Sequence, residues 1–121
     1  MASWFNRQQP EQLFISSITL AEIKKGLYKL KVTQPERFQT LLQWLATLEN
    51  KFSGRILPVS DGVLDDWAGI SATAELQGRK LAVMDSLIAA TAHRHQLVLV
   101  TRNVDDFKII PIQIVNPYLA H

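Results

Sequence analysis

The stretch that most constrains the fold is residues 81–92, LAVMDSLIAATA, an apolar, alanine-rich run with one ionisable side chain, Asp85. From Asp85 onward the run contains helix-forming residues and no Gly or Pro, so it predicts a helix. A helix that is apolar on every side is buried, which places Asp85 at its N-terminus and at the mouth of the core. Two interpretations stay open: Asp85 is an N-cap worth ~1 kcal/mol, or a functional carboxylate that requires donors, a cation or a metal ion.

The composition limits the class of protein. A chain of 121 residues fits a single domain, residues 1–121,. With 47% hydrophobic and 20% charged residues, it is typical of globular folds and not of disordered chains,. The net charge of +2 permits nucleic-acid binding without requiring it,.

The absence of cysteine excludes a disulfide framework and a thiolate metal site, and agrees with the cytoplasmic location that we expect,. Residues 1–10 lack the pattern of a signal peptide,. No apolar run approaches the ~20 residues of a membrane span, so we expect no membrane association.

Short apolar runs alternate with helical periods along the chain. Strands are predicted at residues 13–17, 55–60, 97–101 and 109–115, and helices at 19–31, 33–54, 61–76 and from Asp85 to the histidines,. Residues 1–9 resemble the last turns of a further helix. Strands that alternate with helices indicate an α/β fold, with helices on the faces of a parallel sheet.

Several polar residues also have an ordinary structural explanation. Glu22 lies three residues after Thr19, the spacing of a capping box in which the Glu side chain reaches back to the N-cap amide,. The helix at 19–31 also carries a cluster of lysines, which is either a solvated face or a set of phosphate contacts. Its members are Lys24, Lys25, Lys29 and Lys31.

The acids and histidines of the later helices also have plain explanations. Asp61, Asp65 and Asp66 fall in the first turns of the helix at 61–76, where acids complement the helix dipole,. His93 and His95 lie two residues apart, so they do not share a helix face and make a poor metal-binding pair.

Acidic residues from three segments are predicted to meet at one edge of the sheet. In right-handed βαβ units the helix N-termini lie along the edge where the strands have their C-terminal ends. Glu22 follows the strand at 13–17, and Asp85 begins a helix. Asn103, Asp105 and Asp106 follow the strand at 97–101. Open α/β sheets bind ligands at this edge.

Such a cluster indicates a metal-dependent reaction on phosphates. Two carboxylates ~4 Å apart repel by about 4 kcal/mol at an effective dielectric constant near 20, and a divalent cation removes that repulsion. Oxygen-only ligands favour Mg²⁺ or Mn²⁺ over Zn²⁺. These ions suit phosphodiester hydrolysis, and Arg102 and Lys25 are expected to contact the phosphates of the substrate.

Four strings together resemble a known family over nearly the whole chain: LFISSITLAEIKKGL, GRILPVSD, AVMDSLIAATAHRHQLVLVTRNVDDF and a closing NPY. In this order they are similar to the PIN-domain toxins of the VapC and FitB type. The resemblance implies a three-layer PIN-like fold with a central parallel sheet flanked by helices. It also implies a Mg²⁺-dependent endoribonuclease, the toxin of a type II toxin–antitoxin pair. Such toxins are typically homodimers neutralised by a cognate antitoxin protein.

The resemblance also assigns site residues. Glu22 in TLAEI and Asp85 in MDSLIAAT match active-site acids of the family, and both are expected to bind the metal ion. In TRNVDDF, Asp106 matches an acid that some members carry before Phe. Asn103 stands where other members have Asp, and is expected to act as a neutral ligand or water contact. Asp105 is expected to be solvated.

One feature of the family has no counterpart here. Family members begin with an apolar strand of the form LLDTN, whose Asp is the first metal ligand and whose backbone is the first central strand of the sheet. The expectation is therefore that Met1 is an internal methionine of a longer protein or that the gene is truncated. The alternative function is a catalytically inactive PIN-like module that dimerises or binds the antitoxin. A generic α/β domain whose acids are only helix caps is a third possibility.

Overall fold

The computed structural model describes residues 7–101 and 104–117 of the chain. These residues divide into two compact units. The first unit is Leu13–Pro58, and the second comprises the described residues from Val59 onward together with residues 7–12. The chain is mostly helical with short parallel strands, so the predicted α/β class is confirmed.

The first unit is a helical hairpin preceded and followed by a strand. Its elements are β1 (Ile15–Ser16), α1 (Ser17–Thr33), α2 (Pro35–Lys51) and β2 (Ile56–Leu57). The two strands are parallel, with Ile15 opposite Ile56 and Ser16 opposite Leu57. The helices pack through apolar side chains that are at most 6% exposed: Leu20, Leu27, Phe38 and Leu45.

Helix α1 begins two residues earlier than the sequence predicts, which corrects the interpretation of Glu22. The chain enters the helix directly from β1, and the Ser16 hydroxyl caps it by accepting a hydrogen bond from the Ile18 amide at 3.1 Å. No acid lies in the first turn, so Glu22 cannot form the predicted capping box with Thr19. Glu22 instead lies in the second turn, and its side chain is exposed.

The second unit contains the remaining elements. After a 3-10 turn at Pro10–Gln12, they are α3 (Asp61–Leu76), α4 (Val83–Arg94), β3 (Leu99–Val100), α5 (Val104–Phe107) and β4 (Ile114–Val115). Strands β3 and β4 are parallel, with Leu99 opposite Ile114 and Val100 opposite Val115. The core consists mainly of small and aliphatic residues: Val63, Ile70, Ala89, Ala90, Ala92, Leu99, Phe107 and Ile110.

Helix α3 agrees with the prediction at both ends, because its signals are local. The Ser60 hydroxyl accepts from the Val63 amide at 3.2 Å, and Gly78 lies in the left-handed region at φ 78° just beyond the helix,. The strands are shorter than predicted. Pro58 and Pro111 lack an amide donor and stand next to or within the predicted runs, where they limit the ladders,.

Two other expectations keep their status as predictions. Among the described residues, each unit contains one two-stranded parallel pair, and these pairs do not test the expectations of a continuous central sheet and of a missing first strand. Most of the predicted helix end at 1–9 lies outside the described residues. Within the part of the chain that the structure describes, no helix is both long and apolar enough to cross a membrane.

Candidate functional site

Asp85 lies in the first turn of α4, but it is not the N-cap. The helix begins at Val83, and the N-cap is Ala82, whose side chain makes no capping hydrogen bond. The N-cap interpretation of Asp85 is therefore wrong, because Val83 and Met84 already have helical conformation. The carboxylate remains in the first turn, near the positive end of the helix dipole,. Its side chain is partly buried.

The residue after Asp85 fixes the start of α4 against α3. Ser86 is 2% exposed. Its hydroxyl donates to the Val83 carbonyl at 2.8 Å and accepts from the Trp67 indole Nε1 at 2.9 Å. Both functions of the hydroxyl are thus satisfied, and the first turn of α4 is held in one orientation. The direction of Asp85 is consequently set by the packing of α3 on α4.

The polar segment after β3 forms the single turn α5, which carries two adjacent acids. Phe107 is 5% exposed and anchors the turn in the core of the second unit. Asp106 is exposed. The Asp105 side chain, 85% exposed, pairs with the Lys108 ammonium at 2.7 Å. The hydrogen bond and charge of Lys108 lower the pKa of Asp105 below its usual value. Asp105 thus has a surface partner, whereas Asp106 is left to face the site.

One cavity brings Asp85 and Asp106 together. It has a volume of about 170 Å³ and opens to solvent. Its lining includes two acidic and two basic residues, together with a serine and several apolar residues. The lining residues are Arg79, Lys80, Leu81, Ala82, Asp85, Ser86, Asp106, Phe107 and Ile110.

The residues of this cavity fit a small hard cation. Mg²⁺ is commonly held by one or two carboxylates and keeps several of its own waters, and the cavity has room for several water molecules. Among the described residues, no group of three or more His, Cys, Asp or Glu side chains is close enough to hold an ion. Within the second unit, the ligands of a cation in this cavity would therefore be two carboxylates and water molecules.

Of the other four predicted site residues, two belong to the first unit and two are not described by the structure. Glu22 and Lys25 are exposed residues of α1, in the first unit. Arg102 and Asn103 lie outside the described residues. Of the predicted site residues, the structure therefore brings together Asp85 and Asp106, and the roles of the other four stay predictions.

A second polar cluster joins α3 to α4. His93 Nδ1 lies 2.8 Å from Asp66 Oδ2, and Arg94 Nη1 lies 3.7 Å from Asp66 Oδ1. The Arg94 side chain covers Gly62, where an added Cβ would approach Arg94 Nε to 2.6 Å. Asp66 thus has partners on the neighbouring helix, whereas Asp61 is the acid that lies in the first turn of α3.

Four residues of the site were missed by reasoning from the sequence. Arg79 and Lys80 line the cavity, and Trp67 with Ser86 fixes the first turn of α4. The sequence did contain a signal for Arg79 and Lys80, since GRK at residues 78–80 stands shortly before the helix that carries Asp85. The Trp67–Ser86 hydrogen bond joins residues 19 apart, and no periodicity predicts such a pair.

Comparison with known proteins gives one consistent result. The family model described as PIN domain matches residues 1–112. The chain is 31% identical to the toxin FitB of Neisseria gonorrhoeae, over 98% of this chain and 84% of that protein. It is 30% identical to the VapC ribonuclease Y4jK of Sinorhizobium fredii, over 96% of this chain and 82% of that protein.

Comparison with solved structures gives the same result as comparison of the sequences. The crystal structure of FitAcB from Neisseria gonorrhoeae matches with a TM-score of 0.93 at 30% identity, covering 98% of this chain and 85% of that chain. A toxin–antitoxin complex from Klebsiella pneumoniae matches with a TM-score of 0.61 at 29% identity, covering 88% of this chain and 75% of that chain. The fold, the family model and the relatives converge: the chain belongs to the PIN-domain family, among the toxins of the VapC and FitB type.

Proposed function

We propose that this protein is a Mg²⁺- or Mn²⁺-dependent endoribonuclease and the toxin of a type II toxin–antitoxin system. The observation that carries the proposal is that Asp85 and Asp106 line one cavity together with two cationic side chains. The similarity to a protein named a VapC ribonuclease supports RNA as the substrate. The likeness to a toxin–antitoxin complex supports an antitoxin protein as the partner.

The two acids have the central role. Asp85 and Asp106 would hold the cation, which when bound supplies the polarisation of a phosphoryl oxygen and the activation of a water molecule. Without a cation, two carboxylates that face one cavity repel each other. The positive charges of Arg79 and Lys80 at the same cavity favour the approach of an RNA backbone.

Residues outside the cavity complete the proposed site. Glu22 supplies a third carboxylate to the metal ion, and Asn103 is a neutral ligand or water contact. Arg102 and Lys25 contact RNA phosphates. The proposal also includes a homodimer and a cytoplasmic location.

The direct test is RNA cleavage by the purified chain with Mg²⁺ or Mn²⁺. Asp85→Asn is expected to abolish cleavage, because an amide cannot replace the charge of the carboxylate that holds the ion. The thermal unfolding of this variant should be nearly unchanged, since Asp85 does not cap α4. Asp105→Asn is the matched control: it removes a carboxylate of the same turn that pairs with Lys108, and should leave cleavage intact.

The inactive-module alternative makes the opposite prediction. An inactive module neither cleaves RNA nor binds the divalent ion, but it still binds an antitoxin or dimerises. Cleavage that persists in a folded Asp85→Asn variant would also contradict the proposed role of Asp85.

A further inference from the structure

Helix α5 is too short to hold its own position. A single turn is not stable without tertiary contacts, and α5 spans only Val104–Phe107. The buried Phe107 ring holds its end. The middle of the turn is held through Asp105, whose carbonyl oxygen accepts a hydrogen bond from Arg79 Nη2 at 2.8 Å. Asp106 lies between these two fixed points.

The backbone of Arg79 is itself fixed to the end of α3. The Arg79 amide donates to the Ala74 carbonyl at 2.9 Å, and the Gly78 amide donates to the Glu75 carbonyl at 2.9 Å. Gly78 makes this possible with its φ of 78°,. The guanidinium therefore reaches α5 from a rigid base, across 26 residues of sequence.

We propose that Arg79 is a positioning residue that holds Asp106 beside Asp85 through the Asp105 carbonyl. The inference rests on the proposed metal site, since it concerns the geometry of the two carboxylates. An arginine suits this role because its planar fork presents several donors in fixed directions while its charge is permanent. Lys80 lines the same cavity, but no hydrogen bond from Lys80 to α5 is formed in the described residues.

A positioning role and a purely electrostatic role of Arg79 predict opposite changes in metal affinity when the Arg79 charge is removed. A positive charge close to a cation site repels the cation, so removing the charge should strengthen metal binding. If Arg79 positions Asp106, removing it should weaken metal binding, because one of two carboxylates is then no longer held in place. The affinity for the ion alone, with no RNA present, separates the two roles.

The experiment is a calorimetric titration of the folded chain with Mn²⁺, comparing Arg79→Met, Arg79→Lys and Lys80→Met with the parent. We expect Arg79→Met to weaken Mn²⁺ binding by about tenfold, as loss of an outer-shell partner typically does. Arg79→Lys should fall between Arg79→Met and the parent, because the ammonium offers a donor without the fork. Lys80→Met should bind Mn²⁺ as tightly as the parent or more tightly.

Asp85→Asn in the same series separates failure of the inference from failure of the proposed function. If Arg79→Met binds Mn²⁺ at least as tightly as the parent, the positioning role is overturned. If Asp85→Asn loses Mn²⁺ binding in the same experiment, the proposed metal site still stands. Unchanged binding in Asp85→Asn overturns the metal site itself. If Arg79→Met does not fold, Arg79→Lys decides: weaker binding than the parent supports positioning, and equal binding overturns it.

Discussion

At the scale of single residues, the hydroxyl of Ser86 sets the direction of the neighbouring Asp85. It joins the Trp67 indole to the first turn of α4 with two hydrogen bonds, and it is almost fully buried. A buried hydroxyl with both functions satisfied is a structural group, and it is not free to act as a nucleophile. Its removal leaves the indole N–H without an acceptor, which costs more than the bond itself contributes.

Replacing Ser86 tests this role. Ser86→Ala should lower the free energy of unfolding by ~1–3 kcal/mol, the penalty for leaving a buried donor unsatisfied. In a Trp67→Phe background, which lacks the N–H, the same substitution should cost clearly less. Urea unfolding of the four proteins measures both effects. If Ser86→Ala lowers the free energy of unfolding equally in both backgrounds, the hydrogen bond to Trp67 does not contribute to stability.

The sequence could predict the chemistry of single residues better than their partners. Asp85 could be identified because it is the one ionisable side chain in the apolar run 81–92, and Asp106 could be preferred to Asp105 because of the resemblance to a family. In the structure, Asp105 pairs with Lys108 and Asp106 lines the cavity, which supports the choice of Asp106 without testing it. The hydrogen bond from Arg79 to the Asp105 carbonyl could not be predicted, because side-chain hydrogen bonds between distant segments produce no periodic pattern in the sequence.

At the scale of elements, α3 and α4 form the frame of the second unit. Their contact uses small residues in α4 together with Val63 and Ile70 of α3. The His93 and Arg94 side chains add an outer contact with Asp66. Two glycines of α3 differ in their surroundings: Gly69 has open space where a Cβ would stand, and Gly62 lies under the Arg94 guanidinium.

This difference predicts the effects of alanine at the two positions. Gly69→Ala should raise the free energy of unfolding by ~0.5–1 kcal/mol, because glycine in a helix is disfavoured by that amount. Gly62→Ala should raise it less, since the new Cβ displaces the Arg94 side chain from Asp66. The Arg94 side chain is half exposed and 3.7 Å from Asp66, so the displaced ion pair contributes little,. Thermal or urea unfolding decides, and a larger gain at Gly62 would contradict the placement of Arg94.

Helices could be predicted more accurately than strands, for a physical reason. The ends of α3 are set by Ser60 and Gly78, which act within a few residues of sequence. The start of α4 was misplaced because Ala82 leaves no capping signature. The strands are short parallel pairs whose length depends on a distant partner, so the apolar runs at 97–101 and 109–115 overestimated them.

At the scale of the whole molecule, the proposal assigns three carboxylates to one metal ion. Asp85 and Asp106 belong to the second unit, and Glu22 belongs to the first. If Glu22 also binds the ion, the metal must stabilise both units at once. Ligands that bind only the folded state stabilise the segments that hold them.

Hydrogen exchange with and without Mn²⁺ tests the contribution of Glu22. The expected result is slower amide exchange in three segments: residues 82–89, residues 104–110 and residues 18–25. The first two contain Asp85 and Asp106, and the third contains Glu22. Slowing confined to the first two segments would assign the ion to the second unit and remove Glu22 from the site.

The most direct measurement of the central claim is the Mn²⁺ affinity of Asp85→Asn, Asp106→Asn and Asp105→Asn, each compared with the parent by calorimetric titration. If Asp85 and Asp106 hold one cation, each of their variants loses about tenfold or more in affinity, or ~1.4 kcal/mol, and Asp105→Asn binds nearly as the parent does. Binding that is equally strong in all four proteins, or weakened as much by Asp105→Asn as by Asp106→Asn, would contradict the claim.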